Sequence, residues 1–199
     1  MAVSSPKFFL ITGPPAVGKM SVGQALAQRM DYVLFHNHHS IEFALSFFSF
    51  GSPEFGALNE GIRQLMFRTA AESEQLKGFI FTLVWAFDRQ DDWDYVADLK
   101  ARFQEKGWEF YLLELFAPLE VRADRNEDPH RLAQKPSKQD PELRRKGLFG
   151  MEEKYQMNAT PGQITEPNYL RIDNSVLSPE AVVDQIVAYF GLEEGEKDL

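Results

Sequence analysis

Cysteine is absent from all 199 residues. That excludes disulfides, thiolate zinc sites, iron–sulfur clusters and cysteine nucleophiles, and it fits a reducing compartment, so a cytoplasmic location is expected. Long apolar runs are missing as well. The longest, Phe79–Phe87, is broken by Thr82 and falls far short of the ~20 residues that span a bilayer. The four apolar residues Phe8–Ile11 behind Lys7 are too few for a signal-peptide core. No membrane partner is expected. Positive charge is in deficit, with 21 basic against 30 acidic residues and a net charge of −9. This argues against binding long nucleic acid, because the phosphate backbone rewards clustered positive charge. It leaves room for a nucleotide in one locally positive pocket.

What is present is ordinary globular material. Hydrophobic residues make up 44% and charged residues 26%, which excludes a largely disordered chain. The length suits one domain, expected over 1–192, with an acidic tail at 193–199. Apolar runs of strand length alternate with segments of helical period. Lys7–Thr12, Tyr32–Phe35, Gly78–Trp85, Glu109–Phe116 and Tyr169–Ile172 read as strands. Helical period runs through Ser21–Met30 and through Phe55–Glu72, where Leu58, Ile62, Leu65, Met66 and Thr69 form one stripe. It returns in Asp91–Gln104 and in a helix starting at Pro118–Arg125. The last helix has Ser178 as N-cap, Pro179 at its first position and Gly191 as its stop. Strands alternating with helices predict an α/β fold with a parallel sheet covered on both faces.

One motif carries chemistry. Gly13-Pro-Pro-Ala-Val-Gly18-Lys19 fits G-x-x-x-x-G-K and lies directly after a strand and before a helix, where a phosphate-binding loop must sit. Glycines let the backbone curl so that successive N–H groups point inward at phosphate oxygens. The helix N-terminus adds its positive dipole end, and Lys19 adds a full charge for the β- and γ-phosphates. The expected nucleotide contacts are therefore Gly13, Pro14, Ala16, Val17, Gly18, Lys19, Met20 and Ser21, and the expected cofactors are ATP and Mg²⁺. Met20 stands where Ser or Thr usually ligates Mg²⁺. A thioether is a poor ligand for that hard ion, so Ser21 is the nearest protein oxygen for the metal.

The stretch Gly13-Pro-Pro-Ala-Val-Gly-Lys-Met-Ser21 resembles the G-P-P-G-x-G-K-G-T loop of adenylate kinases. The chain as a whole is similar to the nucleoside-monophosphate kinase and shikimate kinase group of P-loop phosphotransferases. More narrowly it resembles bacterial shikimate-kinase-like proteins, loosely labelled AAA-family ATPases, with a G-P-P-A-V-G-K-M-T loop. The resemblance implies a P-loop three-layer sandwich, a five-stranded sheet ordered 2-3-1-4-5, and a lid closing over ATP at about 122–150.

It also implies where the remaining site residues fall. The ends of strands two and three face the phosphate acceptor. His36-Asn-His38-His39 follows strand two, where shikimate kinases carry an aspartate, and Glu42 comes one helical turn later. Either His36 or His38 is expected to contact the acceptor, with neutral imidazole available as a base near pH 7; capping a polar loop is the alternative. His38 and Glu42 alone supply too few ligands for zinc. Arg63, on the long helix, matches the position from which the family offers an arginine to an anionic acceptor, with Arg68 as the neighbouring alternative. Thr82 stands where adenylate kinases carry an aspartate near Mg²⁺, and Asp88 is the substitute candidate for ordering metal-bound water or acceptor, or a cap of the next helix. From Arg122 to Lys146 there are eight basic and five acidic residues, a basic island in an acidic chain. Arg122, Arg125 and Arg131 resemble lid arginines that stack on adenine and neutralise the transferred phosphoryl group. Phe43, Phe47, Phe48, Phe50 and Phe55 flank the acceptor side as a hydrophobic wall, an oligomer contact or plain core.

The expected function is ATP-dependent transfer of the γ-phosphoryl group to a small-molecule hydroxyl or phosphate, by a monomer or homodimer. A nucleotide-binding regulator without turnover is the alternative. A GTPase switch is disfavoured by the lack of an N-K-x-D motif, and the chain is short for a mechanical AAA ATPase.

Overall fold

The computed structural model describes residues 5–127 and 140–193. Five parallel strands form one sheet: β1 (Lys7–Thr12), β2 (Val33–His36), β3 (Gly78–Thr82), β4 (Glu109–Phe116) and β5 (Tyr169–Asp173), in the order β2-β3-β1-β4-β5. The helices are α1 (Lys19–Met30), α2 (His38–Leu45), α3 (Pro53–Ala71), α4 (Gln90–Gln104), α5 (Leu119–Asn126), α6 (Pro141–Lys154) and α7 (Pro179–Phe190). The expected sheet order and three-layer arrangement are both present.

The two-residue period of a strand sorts the core into two layers. On β1, Phe8 and Leu10 point to one face, where they meet Phe79, Phe81, Phe67 of α3 and Phe103 of α4. Phe9 and Ile11 point to the other, against Val22 and Leu26 of α1 and Val182 and Ile186 of α7. A sheet buried on both faces explains why its central strands are apolar without alternation. None of the helices among the described residues is long and apolar enough to cross a membrane.

Local differences from the sequence reading have physical causes. β3 stops at Thr82, not Trp85: β2 ends at His36, in register with Thr82, and pairing with β1 runs out one residue later, with the Leu83 amide donating to Ile11 O at 3.0 Å. Trp85 and Phe87 continue as buried chain outside the sheet, the Phe87 amide donating to Gln156 O at 2.7 Å. On α3 the inward face is Phe55, Phe67, Ala70 and Ala71, with Ile62 and Met66 partly covered, so Leu65 and Thr69 of the expected stripe face solvent. A helix, α2, begins within the histidine cluster. α6 begins in the second half of the expected lid, capped by the Asp140 carboxylate, which accepts from the amides of Glu142 and Leu143. Arg131 lies outside the described residues, as do Lys135 and Lys138.

Candidate functional site

The turn between β1 and α1 is curled by three residues of positive φ, Gly13 (136°), Ala16 (63°) and Gly18 (109°). Gly13 has no alternative, since a Cβ there would lie 2.4 Å from the Leu115 carbonyl oxygen of β4. α1 starts at Lys19 with Gly18 as its N-cap, no capping side chain and no acidic residue in the first turn. Its leading amides and dipole are therefore available to an anion. The Lys19 ammonium, nearly buried, donates to the carbonyls of Gly13 at 2.5 Å and Pro14 at 2.8 Å.

This turn floors a cleft of about 280 Å³ lined by Ala16–Val22, Asn37, Thr82, Arg125, Asn174, Leu177 and Pro179. It opens at the C-terminal ends of the strands, where α/β sheets gather ligands. Thus Ala16, Val17, Gly18, Lys19, Met20 and Ser21 come together as expected. Gly13 and Pro14 sit behind them as the acceptors for Lys19.

The flanks are held by polar contacts. Arg125 of α5 donates to Val17 O (3.1 Å), Asn174 O (2.7 Å) and Ser175 O (3.1 Å), and Asn174 Nδ2 donates to Val17 O (2.8 Å). The phosphate turn, α5 and the β5–α7 turn are thereby tied into one wall. Burial lowers the Arg125 pKa below its ordinary value. Asp173 beside it is held below the usual carboxylate range by donation from the Ser175 hydroxyl and amide. Arg122 is 2% exposed and donates to Ala117 O (3.0 Å), Pro15 O (3.5 Å) and Glu152 of α6 (2.6 Å). It braces α5 and α6 behind the turn and does not line the cleft.

On the far flank, Thr82 Oγ1 accepts from the Asn37 amide (3.1 Å), joining the end of β3 to the start of α2. His36 is buried and its ring stacks on His39 at 3.6 Å. Burial lowers the His39 pKa, so its ring is neutral near pH 7. His38 Nδ1 meets Glu42 Oε1 at 3.2 Å one turn along α2. Arg63 Nε donates to Ser40 Oγ (3.1 Å), and its guanidinium lies 5.7 Å over the Phe81 ring. Asp88 accepts from the Gln156 amide (3.1 Å) in the segment after α6, away from the cleft lining. Among the described residues no group of three or more His, Cys, Asp or Glu could hold a metal ion.

Two contributors escaped the sequence reading. Asn174 carried a positional signal, because it follows the last strand on the ligand-bearing side of the sheet. Glu114 carried none: fully buried on β4, it accepts from Asn158 Nδ2 (2.7 Å), Ala159 N (3.0 Å) and Tyr169 OH (2.5 Å), with Arg171 Nε at 3.6 Å. It fastens the chain returning from α6 to the sheet one strand away from the phosphate turn, and it helps raise the Tyr169 pKa, behind burial as the larger cause.

An amide-lined turn at the head of the central strand of a 2-3-1-4-5 sheet defines a P-loop fold of the type built by small-molecule kinases. No protein-family model matches the chain, and no curated protein sequence does. Solved structures do match. A candidate kinase from Chloroflexus aurantiacus superposes with a TM-score of 0.64 at 16% identity, covering 96% of this chain and 98% of that one. Shikimate kinase from Acinetobacter baumannii, in complex with shikimate, gives 0.56 at 17%, covering 96% and 97%. The tunicamycin resistance protein of Deinococcus radiodurans gives 0.55 at 19%, covering 96% and 98%. At such identities the likeness is one of fold.

Proposed function

We propose that the protein is an ATP-dependent phosphotransferase that moves the γ-phosphoryl group to a hydroxyl or phosphate of a small molecule. The observation that carries this is the uncapped, amide-lined turn Gly13–Lys19 opening into a cleft that reaches Asn37 and Thr82 at the ends of β2 and β3. The similar folds of shikimate kinase and of a gluconokinase from Sinorhizobium meliloti support it.

In this reading the triphosphate draws Lys19 from the carbonyls of Gly13 and Pro14, since a dianionic phosphate outcompetes neutral acceptors for an ammonium. Arg125, beside the turn, and Arg131 compensate charge spreading over the γ-phosphoryl oxygens, with Arg122 holding α5 in place. His36 or His38, with Glu42 and Arg63, receives the acceptor. Ser21, Asn37 and Thr82 would offer Mg²⁺ the hard oxygens this ion accepts, which the Met20 thioether does not. Held through phosphates, water and Ser21, it would supply positive charge at the phosphate oxygens. Closure of a lid at 122–150 on a single unit spanning 1–192 would keep water from the γ-phosphate. A cytoplasmic monomer or homodimer is consistent with this reading.

A second reading, a nucleotide-binding regulator, is favoured by one observation: no carboxylate lines the cleft among the described residues. Two measurements decide. Lys19→Ala is expected to weaken binding of the fluorescent analogue methylanthraniloyl-ATP by at least about tenfold, the loss of ~1.4 kcal/mol from one charged contact. Unchanged affinity refutes the role of the lysine. ADP release that rises with an added acceptor favours transfer, and saturable binding without such a rise favours the regulator.

A further inference from the structure

We infer that Asn174 is a positioning residue for phosphate binding: with Arg125 it clamps the Val17 carbonyl and so aims the Gly18 amide at a phosphate oxygen. This rests on the triphosphate site of the phosphotransfer reading and names the device that orients it.

The turn has few amides to offer. Pro14 and Pro15 carry no N–H, and the Val17 amide is turned back on Pro14 O at 3.4 Å. The Gly18 amide has no hydrogen-bond partner among the described residues. Ala16 and Gly18, both at positive φ, enclose Val17, an alternation that turns successive amides to one concave side where an anion can sit. The far side of the peptide plane fixes the direction. A trans peptide is flat, with its C=O and N–H antiparallel. The Val17 carbonyl accepts from Asn174 Nδ2 at 2.8 Å and from Arg125 Nη1 at 3.1 Å, on the wall formed by α5 and the β5–α7 turn. The Gly18 N–H of the same plane therefore faces away from that wall, across the floor of the cleft that Gly18, Lys19 and Met20 line.

Asn174 is itself held in place. Its amide donates to Phe116 O at 2.9 Å, and its carbonyl accepts from Arg125 Nη2 at 2.7 Å. Only Nδ2 can face a carbonyl, because Oδ1 would repel it. Oδ1 is left buried without a partner among the described residues, a cost that a purely structural amide seldom carries. The approach is close as well. A Cβ on Gly18 would lie 3.1 Å from Nδ2, and φ there is +109°, so the clamp closes only over a glycine. Arg125 shares the carbonyl, but its charge also draws it to phosphate. When the γ-phosphoryl group engages that guanidinium, Asn174 alone keeps the Val17 carbonyl turned outward. The clamp has one member that can move to the ligand and one that stays.

The test compares methylanthraniloyl-ATP with inorganic tripolyphosphate, which has the phosphates and no nucleoside, on the unaltered protein and on Asn174→Ala. Both ligands should bind the variant at least about fivefold more weakly, and by the same factor, since each loses one aimed amide. On ¹⁵N-labelled unaltered protein, tripolyphosphate should move the Gly18 amide proton downfield, a measurement that needs no variant. In Asn174→Ala that displacement should shrink. Unchanged affinity with only urea stability lowered makes Asn174 a structural anchor and overturns the proposal. A loss confined to methylanthraniloyl-ATP means contact with the nucleoside and overturns it too. So does a Gly18 amide that tripolyphosphate leaves in place in the unaltered protein. These three results leave the phosphotransfer reading standing. Failure of the unaltered protein to bind either ligand saturably defeats the triphosphate site, and both that reading and the clamp fall with it.

Discussion

Replacing Gly13 by alanine perturbs the phosphate turn at its most constrained point. The new methyl group would sit 2.4 Å from Leu115 O and 3.2 Å from Val17 Cγ1, and φ at this residue is +136°. The carbonyl belongs to β4, paired on both sides by β1 and β5, so it cannot withdraw without breaking the sheet. Backbone strain in this region costs about 1–3 kcal/mol, and overpacking against an immobile neighbour adds about 1–3 kcal/mol. The expected loss of about 2–6 kcal/mol is a large share of the ~5–15 kcal/mol that holds a domain folded. Urea denaturation with an unchanged m-value measures it, and methylanthraniloyl-ATP titration should show at least a tenfold loss of affinity in the folded variant. Gly107→Ala is the control: φ is +82° and nothing lies within 4 Å, so strain acts alone, about 1 kcal/mol. A Gly13→Ala protein within about 1 kcal/mol of wild type, with undiminished affinity, would refute the reasoning.

Glu114→Ala orphans the amide of Ala159 and the hydroxyl of Tyr169 and removes one of two acceptors from Asn158, so a loss of about 3–5 kcal/mol is expected in urea or thermal unfolding. A loss under about 1 kcal/mol would mean that the segment behind α6 is held by other contacts. Acidification should also act through His39. Its folded-state pKa is lowered by burial, so the unfolded chain binds the proton more readily, and stability falls as pH drops below the ordinary histidine value of about 6.5. His39→Gln should flatten that slope, and an unaltered slope would place the sensitivity elsewhere. At the alkaline end Tyr32, pushed up to about 12 by burial and by Glu109, should make stability fall above pH ~10, with Tyr32→Phe reducing a dependence that Tyr95, Tyr111 and Tyr169, also raised, share.

The sequence by itself determined what depends on neighbours along the chain. Strand and helix periods, the Ser178-Pro179 start and Gly191 stop of α7, and the G-x-x-x-x-G-K turn are all local, and each appears within a few residues of where the pattern puts it. Tertiary packing decided the rest. β3 ends as its pairing with β2 runs out at His36, and α3 turns Leu65 outward while Phe67, Ala70 and Ala71 meet the sheet. Arg122 and Arg125 look alike in the sequence, yet one is sealed behind the phosphate turn on Glu152 and the other walls the cleft. Glu114 reads as an ordinary strand residue until Asn158, Ala159 and Tyr169, from 44 to 55 residues away, converge on it. Periodicity and turn chemistry are properties of a few consecutive residues. The surroundings of a charge are set by segments that only folding brings together.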